Sequence, residues 1–297
     1  MSHDQTTILP GQQTAKTAFE TSALSAAARR RLLSVKGEPL FYADWLRVLF
    51  LHFEVDAEAL QREVPFPLDL HEGRAYVSLV AFTMRDMRPR VGGRLGTLLF
   101  KPIATHNFLN VRTYVKHRGE TGIHFLAEWL DNPLSVLLGP LAFGLPYRFG
   151  QLHYQHNHEA GALHGQVIPA SPFFNRNRSP YLPRLEYRAE INPNPMFGPC
   201  DTNSLDEFLL ERYTAFNGNP SRRQPEDSSL TIPDSMSRRF FRIWHPPWPQ
   251  VPVHISSLET GLLESVWPWF AGARLVGAHY SPGVHGVWMG RPQTCAH

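Results

Sequence analysis

The sequence predicts an α+β fold: a mostly antiparallel, β-barrel-like double sheet with a few peripheral helices. Three observations predict it. Segments with apolar and polar residues in alternation recur along the chain, separated by turn residues. Only a few short segments carry capped helical patterns. No strand–helix–strand rhythm of the kind that builds a parallel sheet is present.

The elements follow in order. Residues 1–38 read as a polar N-terminal extension with a short surface helix around AAARRRLL, and residues 39–291 as a single domain. WLRVLFLHFEV reads as a strand and DAEALQREV as a short helix capped by Asp56 and stopped by Pro65 and Pro67. LDLHEGRAYVSLVAFTMRDM reads as a hairpin turning at Glu72-Gly73. GGRLG reads as a loop without the context of a phosphate cradle. THNFLNVRTYVKH and IHFLAEWLD form a strand pair around RGETG. Asn132 caps a helix that starts at Pro133 and is expected to kink or break near Gly139-Pro140. Another hairpin follows, turning at Glu159-Ala160-Gly161, then a strand in YLPRLEYRAEI. SLDEFLLERYTAF opens with a capping box, Ser204 and Glu207, and reads as a helix. Residues 217–237 are polar and Pro-rich and read as a mobile loop. RRFFRIWHPPWP and RLVGAHYSPGVHGVW close the chain as strands.

Composition narrows the function. Of 297 residues, 42% are hydrophobic and 19% charged, which fits a globular chain with a sizeable core. No apolar run is long enough for a spanning helix, so no membrane partner is expected. Lys and Arg alternate with acids, and the only basic run is Arg29-Arg30-Arg31, so no nucleic-acid partner is expected. Two cysteines make neither a disulfide framework nor a zinc knuckle, which points to a reducing cytoplasm. The start of the chain lacks a secretory pattern. His156 and His158 alternate on a strand, with His124 and His164 as further ligand types, but an exposed pair at a hairpin tip is the better reading. No metal and no cofactor are expected. The expected partner is a small-molecule ligand, and a homo-oligomer is compatible with the sequence.

NVRTYV carries the central candidate site. Alternation puts Asn110, Arg112 and Tyr114 on one face and Val111, Thr113 and Val115 on the other. A guanidinium between an amide and a phenol offers a planar fork for a carboxylate or phosphate, with Asn110 and Tyr114 orienting the ligand. The alternative is a structural Arg112 paired with Glu128 on the return strand. Glu211, at the end of the capped helix, is a candidate general base if that helix faces the cavity, and otherwise part of a charged helical surface. His245 and Trp248 sit in HPPWP, where three prolines hold the backbone still, either for a ligand or as a packed corner.

FLHFEVDAEALQREVPFPLDLHEGRAYVSLVAFTMRDMRP, LNVRTYV, GIHFLAEWL, FGLPY, FLLERY, HPPWP and HYSPGV occur in that order. Together they resemble the bacterial YqjF-like family, domain of unknown function 2071, over roughly residues 41–291. The resemblance implies a fold related to acetoacetate decarboxylase, a barrel-like double sheet around a pocket. That enzyme forms a Schiff base through a lysine in a G-R-E-x-x-G-F-P-K-K pattern. GPLAFGLPYR matches it at Gly139, Gly144 and Pro146, but Tyr147 and Arg148 replace the lysines. Neither a phenol nor a guanidinium forms a Schiff base. The expected glutamate before LNVRTYV is also absent near Asn107-Phe108, and His285 stands where an acid is expected. The resemblance therefore implies a pocket without decarboxylase chemistry, in which Tyr147 moves protons and Arg148 contacts the ligand; the alternative is a Tyr147 ring packed against the preceding helix break, with Arg148 solvated. The expected function is binding of a small acidic molecule, with a non-Schiff-base lyase, isomerase or hydrolase step, or else a non-catalytic binding barrel.

Overall fold

A computed structural model describes residues 22–170, 182–218 and 238–295. The long strands β1 (Phe41–Val55), β2 (Ala75–Pro89), β3 (His106–His117) and β4 (Glu120–Leu130) form an antiparallel meander. After α4 (Pro133–Phe143), β5 (Tyr147–Asn157) pairs parallel to β4, and β6 (Ala162–Pro169) and β7 (Leu185–Glu190) continue the sheet. The short β8 (Thr214–Asn217) also lies parallel to β4 and antiparallel to β9 (Arg239–Trp244). β10 (Val251–Pro252) pairs with β12 (Arg274–Met289), β11 (His254–Glu259) with β7, and β13 (Gln293–Thr294) with β9. β12 pairs with both β1 and β9, so β1, β2, β3, β4, β8, β9 and β12 are hydrogen-bonded into a closed ring.

The α+β class and the mostly antiparallel sheet match the expectation, with two parallel pairings that the sequence did not announce. The meander separates two cores because side chains alternate across its strands. Leu109, Val111 and Val115 join Leu51, Leu79 and Trp129 on the face toward β5–β7. Phe108 and Tyr114 join Phe50, Val80 and Phe125 on the face inside the ring. Each fully buried side chain of this kind contributes about 1.5–3 kcal/mol, which makes the meander the rigid centre of the molecule.

The helices stand around this frame. In α1 (Ala23–Leu33) Ala28 and Leu32 are buried, and Ser25 Oγ donates to the His245 carbonyl at 2.9 Å, so the helical part of the N-terminal extension is docked on β9. The Asp56 side chain caps α2 (Ala57–Glu63) as expected. Several expectations need correction. The segment before Glu72-Gly73 makes only isolated bridges, with Leu68 opposite Val115, rather than the first arm of a hairpin. The glycine-rich stretch opens α3 (Gly93–Phe100), with Gly92 in the left-handed region just before it. Its helical tail, LGTLLF, outweighs the glycines. Of the kink or break expected at Gly139-Pro140, the break is absent: α4 runs through Pro140 to Phe143 and ends at the left-handed Gly144. α5 (Leu205–Leu210) is capped by Ser204 but stops before Glu211, and the chain turns extended into β8. α6 (Gly261–Val266) is an additional short helix. Of the expected loop at 217–237, residues 219–237 lie outside the described residues.

Candidate functional site

The ring encloses a cavity of about 510 Å³. Its wall is mainly apolar and includes aromatic pairs: Phe82 stacks on Phe108 at 5.2 Å, and Trp45 on Trp248 at 6.2 Å. Asn110, Arg112, Tyr147, His245 and Trp248 from the expected set all line it, together with His106, Glu128 and Arg212. The alternation of β3 carries this result, because His106, Phe108, Asn110 and Arg112 share one face.

Arg112 does not pair with Glu128. A register shift between Val111 and Arg112 places Glu128 opposite Asn110 and leaves Arg112 opposite Phe125. Arg112 Nη2 donates to the Leu209 carbonyl at 3.1 Å, and the guanidinium lies over Phe50 at 5.7 Å. Its Nε has no partner, and among the described residues no carboxylate lies within ion-pair distance. Burial lowers its pKa, while Tyr114 and Glu211 work in the other direction.

Tyr114 is not a lining residue. Its hydroxyl donates to the same Leu209 carbonyl at 2.8 Å and accepts from Ser78 Oγ at 2.5 Å. Ser78 Oγ in turn accepts from His52 Nδ1 at 2.7 Å. This buried relay fixes the carbonyl that holds Arg112. Glu211 also stands behind the wall. Its Oε1 accepts from the Trp248 backbone N–H at 2.8 Å and its Oε2 from the Tyr213 hydroxyl, so it positions Trp248. Burial raises the Glu211 pKa to about 7 against the pull of these two hydrogen bonds.

Glu128 is the acid that the sequence reading left outside the site. Ile123 and Phe125 line the cavity, and strict alternation would put Ala127 next. The register shift leaves Leu126 without a partner in the ladder and moves the face to Glu128, while Ala127 and Trp129 enter the outer core. No pattern in the sequence marks that bulge. Burial raises the Glu128 pKa well above the carboxylate range, and its Oε2 has no partner. Tyr147 is nearby, its pKa raised by burial and by the Glu128 charge. Gly139 makes room for its ring, since a Cβ there would sit 2.1 Å from Tyr147 Cε2. His106, whose place on the β3 face was legible by the same alternation, has its pKa lowered to about 4 by burial, against a weaker pull in the other direction from the Ile103 backbone.

His245 stacks on Tyr213 at 4.7 Å, and its Nδ1 contacts the Pro246 carbonyl at 2.7 Å; burial brings its pKa to about 4. Arg212 is already satisfied, by Asp69 at 2.8 Å and by the face of Phe208 at 4.1 Å. Arg148 is exposed and lies over Trp129 and Trp267 of the outer core, away from the cavity. The histidines weighed as metal ligands each have other partners: His156 bonds Tyr187, His158 bonds Tyr280, His124 the Phe216 carbonyl and His164 Glu186. Among the described residues no cluster of three or more metal-ligating side chains is present.

The sequence pattern of domain of unknown function 2071, described as an uncharacterized conserved protein, matches residues 42–285. The chain belongs to this family. The uncharacterized protein YqjF of Bacillus subtilis (strain 168) is 29% identical to it over 188 residues, which are 62% of this chain and 69% of that protein. Solved structures share the fold. An acetoacetate decarboxylase-like enzyme from Sphingomonas wittichii RW1 has a TM-score of 0.54 and 14% identity, over 87% of this chain and 94% of that one. Acetoacetate decarboxylase from Legionella pneumophila subsp. pneumophila str. Philadelphia 1 has a TM-score of 0.54 and 14% identity, over 86% of this chain and 87% of that one. The enduracididine biosynthesis enzyme MppR, solved with pyruvate, has a TM-score of 0.53 and 13% identity, over 88% of this chain and 92% of that one. At these identities the fold is what the family member shares with them.

Proposed function

We propose that the ring cavity binds a small carboxylate or keto acid with an apolar remainder, and that the chain acts on it in a lyase-, isomerase- or hydrolase-type step without a Schiff base. One observation carries this reading: Arg112 is buried in a mainly apolar cavity with Nε unpartnered and no carboxylate in ion-pair reach among the described residues. A buried cation is costly unless an anion meets it. Arg112 holds the ligand carboxylate, and the Asn110 amide orients a carbonyl or hydroxyl beside it. Glu128, whose burial favours the protonated form, donates a proton, and Tyr147 accompanies it. Lysine is missing from the lining, so amine catalysis has no nucleophile there. The pyruvate complex of MppR is consistent with a keto acid in a cavity of this fold.

A second reading, a non-catalytic carrier, is favoured by the apolar wall, which gives more surface to holding a ligand than to moving protons. Calorimetric titration with hexanoate and phenylpyruvate, with hexanamide as the uncharged control, tests the binding claim. Arg112→Gln should weaken binding of the acids by about 2–5 kcal/mol and leave the amide unaffected. Unchanged acid binding by Arg112→Gln sinks the assignment. Solvent-deuterium incorporation into bound phenylpyruvate, lost in Glu128→Gln, separates an enzyme from a carrier.

A further inference from the structure

The helices α3 and α4 present an apolar surface that none of the described residues covers. Leu98 and Leu99 of α3 are 63% and 71% exposed, and Leu137 and Leu141 of α4 are 63% and 75% exposed. α4 has no charged residue on any side, and Ser135 is its only fully buried residue. A helix apolar around its whole circumference is expected either deep in a core or in contact with lipid. The two helices sit together at one end of the ring: Phe41 packs against Phe100 of α3 at 5.3 Å and Phe143 of α4 at 6.0 Å, and Asn132 Nδ2 donates to the Pro102 carbonyl at 2.7 Å. Both also contribute to the cavity wall, through Phe100, Leu138 and Leu141.

The rim of this surface is basic. Arg90, Arg94 and Lys101 are exposed, and among the described residues none has a carboxylate within ion-pair distance. The nearby Asp86 is already paired with Arg85 at 3.5 Å. We propose that α3 and α4 dock on an anionic lipid surface, with their leucines in the headgroup–acyl boundary and the basic rim at the phosphates, so that the cavity wall they share lies against the bilayer. An amphipathic face with cationic residues beside it binds membranes in this way. A second copy of the chain fits less well: a two-fold contact through this face would set basic rim against basic rim, with no free acid on the patch to answer it. The absence of a spanning helix among the described residues does not bear on surface contact. This inference stands independently of what the cavity binds.

The test is co-sedimentation of the full chain with vesicles of phosphatidylcholine and phosphatidylglycerol in equal parts, and of phosphatidylcholine alone, at low and high salt. The expected result is binding to the anionic vesicles that salt weakens. The double variant Leu98→Glu/Leu141→Glu should lower it by about ten-fold or more, and Arg94→Glu/Lys101→Glu should remove its salt dependence. Leu95→Gln/Leu137→Gln repeats the apolar test if the first pair fails to give native circular dichroism. Absence of binding by the wild-type chain, unimpaired binding by the folded leucine variants, or a dimer in sedimentation velocity that those variants split would each overturn the proposal.

Discussion

At the scale of single residues, the Leu209 carbonyl joins two side chains, accepting from both Arg112 and Tyr114. The Tyr114 hydroxyl is fully buried and is also the acceptor of the relay from His52 through Ser78. Tyr114→Phe strands the Ser78 hydroxyl in the core. It should cost about 1–3 kcal/mol of stability by urea denaturation, and it should weaken acid binding as the guanidinium loses its fixed neighbour. Period-two alternation sufficed to place Asn110 and Arg112 in the cavity, because β3 pairs regularly with β2 from His106 to Thr113. It could not place Glu128, because the bulge in β4 is set by pairing with β3 and leaves no local mark. Tyr147 was reached through resemblance alone. Arg148 follows it in sequence but lies on the opposite side of the strand, against the outer core.

At the scale of elements, local capping chemistry was the most readable signal. Asp56, Asn132 and Ser204 each accept the expected backbone hydrogen bond. Asn132 does more, since its amide also donates to the Pro102 carbonyl and so ties α4 to the turn after α3. Asn132→Ala should therefore cost about 1–2 kcal/mol, near the upper end for a cap, measured as a lower melting temperature. Helix ends and tertiary pairings were less readable. α4 continues across Pro140, where propensity alone asks for a break. Glu211 was expected on a helix and instead leaves it, its carboxylate accepting from the neighbouring Tyr213 hydroxyl and from the Trp248 backbone N–H, which comes from another part of the chain. Long-range partners of this kind have no signature in a short window of sequence.

At the scale of the whole molecule, buried titratable groups set the response to pH. Burial lowers His106, His124, His156 and His245 to about 4, and holds His52 well below its ordinary value. Unfolding lets each take up a proton below about pH 6.5, so these groups reduce stability as pH falls from there toward 4. Glu128 and Glu211 have raised values and act in the opposite sense, reducing stability as pH rises above about 4.5. Between these limits the histidines outnumber the acids, and the unfolded chain binds more protons. The melting temperature should fall on going from about pH 7.5 to about pH 5. His106→Phe should make that fall shallower, whereas an unchanged slope would mean that the imidazole is not buried neutral. The crossover from β4 to β5 carries one last consequence. α4 is anchored on both sides by strands that pair with each other within a few residues, Glu128 opposite Tyr147 and Leu130 opposite Phe149. It has little slack with which to swing, so the stretch of cavity wall it supplies through Leu138 and Leu141 is tethered at both ends to the sheet.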